Sequence, residues 1–181
     1  MEMKGDLHMC ENQEKYQYVD EAPYPPVQVC GRNQDYAIAI LGNIGACNSE
    51  MSAIALYFYN SIILGESYEE VGRIFHKISM VEMHHLNIFG RLSEMLGAEP
   101  RLWSVNRGRF TYWTPKCNNY PRKIDSLLKN AYKGELDAID KYTKQLSWIE
   151  DEHIRANLER IILDEKCHLK IFESLYEKYC E

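Results

Sequence analysis

At 181 residues the chain has the length of one domain and can bury a sizeable core. Its 27 acidic and 21 basic residues leave a net charge of −6 with no concentrated basic run, which argues against nucleic acid or an anionic membrane as main partner. The N-terminus has no basic stretch leading into an apolar one, so no secretory signal is expected, and the longest apolar run, Ala53 to Tyr59, is too short to span a bilayer.

Residues 1–32 are polar and carry "APYPPVQV", whose prolines favour an extended chain. From Asn33 a helical pattern places Tyr36, Ile40, Asn43, Cys47, Glu50, Ile54, Tyr57 and Ser61 on one face, and Gly65 ends it. Ser67 with Glu70 forms a capping-box signature for a second helix. Its inner stripe runs from Val71 through Ile78, Glu82, His85 and Phe89 to Leu96, with Gly97 as the stop.

Residues 98–120 lack that periodicity and read as a long connection. Pro121 is expected to open a third helix, with Ile124, Leu128, Ala131, Glu135, Ile139 and Tyr142 facing inward. After a break near "EDE" at 150–152, a fourth helix aligns Ile154, Leu158, Ile161, Glu165, His168, Phe172 and Leu175. No alternating strand pattern is long enough to compete. The expectation is an all-α four-helix bundle over residues 33–181, preceded by an extended segment over 1–32.

The two halves repeat each other. "EMSAIALY" (50–57) over "ELDAIDKY" (135–142) matches Glu50 with Glu135 and Tyr57 with Tyr142. "VEMHHLNIFGRL" (81–92) over "DEKCHLKIFESL" (164–175) matches Glu82 with Glu165 and His85 with His168. The bundle therefore consists of two duplicated helical hairpins joined by a long crossover. Within each Glu-x-x-His, residues three apart share a helix face, so His85 points inward with Glu82 while His84 points elsewhere. The partner of His84 in the repeat is Cys167, which agrees.

A lone Glu-x-x-His is more often a solvated face. Two copies on apolar stripes, each preceded by an inward glutamate at matched spacing, are not. Four buried carboxylates without partners would raise one another's pKa and destabilise the fold. Their charge of about −4 is matched by two divalent cations, the bundle-core arrangement of di-iron and di-manganese proteins. The candidate metal ligands are Glu50, Glu82, His85, Glu135, Glu165 and His168. Tyr57 and Tyr142 lie two turns from Glu50 and Glu135 and could hydrogen-bond ligand carboxylates, with packed core tyrosines as the alternative.

Six cysteines, Cys10, Cys30, Cys47, Cys117, Cys167 and Cys180, are scattered without a C-x-x-C pair. A secreted disulfide scaffold would be shorter and denser in cysteine. Reduced thiols in a cytoplasmic protein are expected, with Cys47 as a small buried thiol. His8, His76, His84 and His153 have no matched partners and read as surface residues. The aromatic crossover, with Trp103, Phe110, Tyr112 and Trp113, is expected to pack over the bundle or to make a subunit contact.

This six-ligand pattern over residues 33–179 resembles the ferritin-like superfamily, and its rubrerythrin-like branch in particular. The stretch "APYPPVQVCGRNQDYAIAIL" also resembles the opening segment of manganese-catalase-like and spore-coat relatives. The resemblance implies Glu82 and Glu165 as bridging ligands, Glu50 and Glu135 as terminal carboxylates, and one imidazole per metal. It implies two Fe ions, with two Mn ions as the alternative, and reduction of hydrogen peroxide or oxygen by electrons from a small carrier such as rubredoxin. Rubrerythrins commonly carry a rubredoxin-like domain with paired C-x-x-C motifs, which this chain lacks. Many also place a further carboxylate where this chain has Ala138. A homodimer is expected. Dimanganese catalase, an iron-storing ferroxidase and a metal-stabilised structural bundle are the alternative readings.

Overall fold

Asn33 starts the first helix. Its side-chain oxygen accepts hydrogen bonds from the backbone N–H groups of Asp35 and Tyr36 at 3.0 and 3.1 Å, satisfying donors that a helix start leaves orphaned. The computed structural model describes residues 16–180. In it α1 spans Gln34–Gly45, α2 Glu50–Ile63, α3 Glu69–Met95, α4 Ile124–Leu146 and α5 Glu152–Cys180. Helix α2 pairs with α3 and α4 with α5, the two hairpins of the repeat, and together they form the four-helix bundle.

The single helix expected from Asn33 to Gly65 is broken over residues 46–49. The cause is tertiary. The crossover backbone passes so close to Gly45 that a Cβ there would sit 2.1 Å from the Trp103 nitrogen. Ala46 turns extended, and Lys141 Nζ donates to the Gly42 and Asn48 carbonyls at 2.8 and 2.6 Å, satisfying acceptors at the break. Paired hydrogen bonds between Asn43 and Gln145, at 2.8 and 2.9 Å, tie α1 to α4.

Two further boundaries differ from expectation. Ser67 lies in a short 3₁₀ turn, Glu66–Tyr68, and makes no capping bond, while Glu70 instead accepts from Tyr179 Oη at 2.6 Å. Helix α4 opens at Ile124, three residues beyond Pro121. At the start of α5, Asp151 Oδ1 accepts from the His153 and Ile154 N–H groups at 3.0 and 3.1 Å.

The crossover is not irregular throughout. Strands β1 (Trp103–Asn106) and β2 (Arg109–Tyr112) form an antiparallel hairpin in the register Trp103↔Tyr112 and Asn106↔Arg109. Arg107 and Gly108 turn it with φ of 50° and 74°, the two-residue turn whose twist suits a hairpin. Trp103 stacks on Phe110 (4.5 Å between ring centres) and packs against the core beside α1, while Trp113 Nε1 donates to Ser52 Oγ at 2.9 Å. The aromatics thus pack over the bundle, although Phe110 and Tyr112 keep much of their surface exposed.

The reduced-thiol expectation fails for two cysteines. Cys47, in the helix break, is bonded to Cys117 across 70 residues of sequence, and its side of the chain is exposed rather than buried. Cys30 is exposed and Cys167 buried. Cys10 and His8 lie outside the described residues.

Two apolar clusters fill the bundle. One gathers Ile40, Ile44, Phe89, Leu92, Leu158 and Ile161, the other Phe75, Ile78, Leu128, Ala131, Phe172 and Leu175. On α3 the residues between Ile78 and Ile88 separate them, and on α5 those between Ile162 and Ile171. The glutamates and histidines of the repeat occupy this intervening layer.

Candidate metal centre

Sealing four carboxylates between two hydrophobic clusters requires compensating positive charge or protons. Glu50 comes from α2, Glu82 and His85 from α3, Glu135 from α4, and Glu165 and His168 from α5, all at most 2% exposed. Their donor atoms fall into two overlapping groups. Glu50, Glu82, His85 and Glu165 form one, and Glu82, Glu135, Glu165 and His168 the other; within each, all atoms lie within 4.8 Å of one another. Glu82 and Glu165 belong to both.

The imidazoles point Nδ1 inward. His85 Nδ1 is 3.2 Å from Glu82 Oε2 and 3.3 Å from Glu165 Oε1. His168 Nδ1 is 3.0 Å from both Glu82 Oε1 and Glu165 Oε2. Glu82 Oε1 and Glu165 Oε1 are sealed from solvent and face His168 Nδ1 at 3.0 Å and His85 Nδ1 at 3.3 Å, but neither contact is aligned as a hydrogen bond. Carboxylate oxygens and imidazole nitrogens converging without aligned hydrogen bonds, on two carboxylates shared by both groups, are donors that a pair of divalent cations would bind, so the residues fit a dimetal site.

Burial, together with the Glu82 and Glu165 charges, pushes the Glu50 and Glu135 carboxyls well above the ordinary range. For Glu165 burial works in the same direction, but His85 and His168 overcome it and hold the carboxyl down to about 2. Glu82 is lowered against its own burial by His168. Both imidazoles are raised well above their usual value, because the surrounding carboxylates outweigh desolvation. Without metal, these directions favour charge on Glu82, Glu165 and the two imidazoles and a proton on Glu50 and Glu135.

The tyrosines cross the bundle. Tyr57 on α2 donates to Glu135 on α4, and Tyr142 on α4 donates to Glu50 on α2. Each hairpin thus positions the terminal carboxylate of the other. Burial and the nearby carboxylates raise both phenols, so they remain donors.

The outward nitrogens of the histidines find partners that the motif reading missed. His85 Nε2 meets Asp164 Oδ2 at 3.1 Å, and His168 Nε2 meets the Tyr18 carbonyl at 3.0 Å. Asp164 also accepts from Arg160 Nη1 (2.6 Å), Tyr24 Oη (2.5 Å) and the Asp20 N–H (2.7 Å). Residues 16–33, without helix or strand before Gln34, thus serve as a strap along α5 that fixes both rings from behind. The only sequence trace of this was a charged residue beside Glu165, opposite Val81 in the repeat. His84 is exposed and meets Tyr24 edge-on at 4.5 Å, away from the centre, as the repeat implied. His76 is exposed and His153 partly buried at the start of α5.

A cleft of about 280 Å³ enters between α2, α4 and the crossover. Cys47, Cys117, Asn118 and Lys133 line its approach, and Glu50, Glu135, Tyr57 and Tyr142 also border it. Ala138 leaves an apolar wall here.

Helical hairpins that each contribute a lone glutamate and a Glu-x-x-His to a shared buried layer define a dimetal-carboxylate protein of the ferritin-like class. Within that class the chain belongs to the rubrerythrin family, whose model matches residues 44–176. Solved structures agree on the fold. The manganese catalase KatB from Anabaena superposes with a TM-score of 0.77 at 19% identity, over 88% of this chain and 78% of that one. A Rhodobacter capsulatus bacterioferritin described with a metal-free dinuclear site and heme iron gives 0.65 at 21% identity, over 81% and 89%. A dodecameric thioferritin from Bacteroides fragilis gives 0.62 at 16% identity, over 83% and 94%. Comparison with curated protein sequences gives no match. No helix among the described residues is long and apolar enough to cross a membrane.

Proposed function

We propose that the protein is a cytoplasmic di-iron oxidoreductase that reduces hydrogen peroxide, or oxygen, with electrons from an external donor. The observation that carries this reading is the buried set of four carboxylates and two imidazoles bordered by a cleft wide enough for a small oxidant. Oxygen and imidazole donors suit iron or manganese better than metals that prefer thiolate. Two bound iron(II) ions would supply one electron each to the oxidant.

The chain's own groups prepare that chemistry. Glu82 and Glu165 would bridge, with Glu50 and His85 completing one position and Glu135 and His168 the other. Tyr57 and Tyr142 hold the terminal carboxylates and keep a proton beside each. The apolar clusters above and below exclude bulk water from the layer.

A second reading, dimanganese catalase, is supported by the higher structural similarity to the manganese catalase (0.77) than to the bacterioferritin (0.65). Metal analysis of protein purified without added metal, combined with oxygen evolution from peroxide, separates the two. For the di-iron enzyme, anaerobically reduced protein consumes about one peroxide per two irons and stops until a carrier such as rubredoxin is added. Sustained peroxide loss with oxygen evolution and no donor refutes the iron reading. We further propose a homodimer, tested by its mass in solution.

A further inference from the structure

The Cys47–Cys117 disulfide has no counterpart in the duplicated scaffold. The repeat places Tyr132 opposite Cys47, and Cys117 belongs to the crossover. The bond joins two short irregular segments, the 46–49 break and the 3₁₀ turn Pro115–Cys117. Opening it unwinds no long helix and no strand. Nor does it alone hold the crossover, because Trp113 Nε1 and Asn118 Nδ2 each bond Ser52 at 2.9 Å. Both cysteines line the cleft that Glu50, Glu135, Tyr57 and Tyr142 also border. Cys47 is exposed to solvent and Cys117 is half-buried. A small oxidant that enters the cleft therefore meets these sulfurs, and a reductant outside can reach Cys47.

We propose that Cys47 and Cys117 are a redox-active pair that reduces hydrogen peroxide in this cleft, cycling between two thiols and the disulfide. The Cys47 sulfur attacks one peroxide oxygen. The O–O bond breaks, the other oxygen leaves as water with the thiol proton, and Cys47 becomes a sulfenic acid. The Cys117 sulfur then displaces the hydroxyl, which leaves as a second water with the Cys117 proton, and the S–S bond forms. Peroxide gains two electrons and the two thiols lose them. A small thiol or dithiol from solution resets the pair by exchange at exposed Cys47. The pair shares the oxidant of the di-iron reading but not its metal ions, so either can fail without the other.

The test uses the full chain, stripped of metal by a chelator, reduced with dithiothreitol and desalted anaerobically. It is mixed with one equivalent of hydrogen peroxide, and remaining thiols are tagged and mapped by mass spectrometry against time. Cys30 is the internal reference, an exposed thiol whose pKa is raised by desolvation and by Asp151. Cys47 and Cys117 should oxidise together to the disulfide, roughly a hundredfold faster than Cys30 reacts. In Cys117→Ser, Cys47 should be captured as a sulfenic acid by a 1,3-dione probe. Oxidation no faster than that of Cys30 overturns the proposal, as does a disulfide that dithiothreitol opens only in denatured protein. Because the rate comparison lies within the wild-type chain, it holds even if the serine variant does not fold.

Discussion

Asp164→Asn probes the strap and the centre at once. The carboxylate accepts from His85, Tyr24, Arg160 and the Asp20 N–H, and these bonds outweigh its burial, lowering its pKa from 3.8 to about 2. A lowered carboxyl pKa contributes stability that is present above the ordinary value and lost as pH falls through the folded one. The shift corresponds to on the order of 2 kcal/mol at neutral pH. An amide keeps the shape but removes the charge, leaving Arg160, only 5% exposed, without its anionic partner. Loss of one partner of a buried pair costs about 3–5 kcal/mol, so a clear fall in melting temperature at pH 7 is expected, shrinking toward pH 2. Metal binding should change unequally. Asp164 orients only His85, whereas His168 is held by a backbone carbonyl. Loss of such an outer partner weakens a metal site by about 10–100-fold, or about 1.4–2.7 kcal/mol. Chelator competition on folded variant should therefore find one tight and one weakened equivalent. Equal weakening of both, or of neither, would refute the assignment of Asp164 to the His85 half.

Three further outcomes follow from the charge pattern. Loading two divalent ions should release protons from Glu50, Glu135 and the two imidazoles, whose pKa values are all raised without metal, measurable with an indicator dye in weak buffer; a release near zero contradicts those directions. In metal-free protein the raised histidines contribute stability that is full below their ordinary value of 6.5 and is lost as pH rises through their folded values. The apo melting temperature should accordingly fall on the alkaline side, and a flat profile would count against buried imidazolium. Glu82→Ala or Glu165→Ala should reduce metal at both positions, while His84→Ala leaves metal content nearly unchanged; elemental analysis decides, and metal loss in the His84 variant would overturn the register of the repeat.

The sequence by itself determined which residues share the buried layer, because a duplicated hairpin prints its spacing twice. Glu82 and His85, like Glu165 and His168, lie three apart, and a helix brings such pairs together whatever packs around it. The same periodicity carried the four long helices and the inward stripe. Only the tertiary structure decided what meets across the bundle. Tyr57 reaches Glu135 rather than the carboxylate on its own helix, a choice made by the antiparallel packing of α2 against α4. Asp164 and the Tyr18 carbonyl orient the imidazoles through contacts 79 and 150 residues apart in sequence, which leave no local pattern. The break at 46–49 has the same origin, since nothing in residues 33–64 announces that the Trp103 backbone will press on Gly45. Strands of four residues are too short for alternation to register, so the hairpin at 103–112 was hidden. The Cys47–Cys117 bond closes 70 residues without any paired motif. Periodicity records what one helix does with its own neighbours; long-range contacts exist only once the chain has closed on itself.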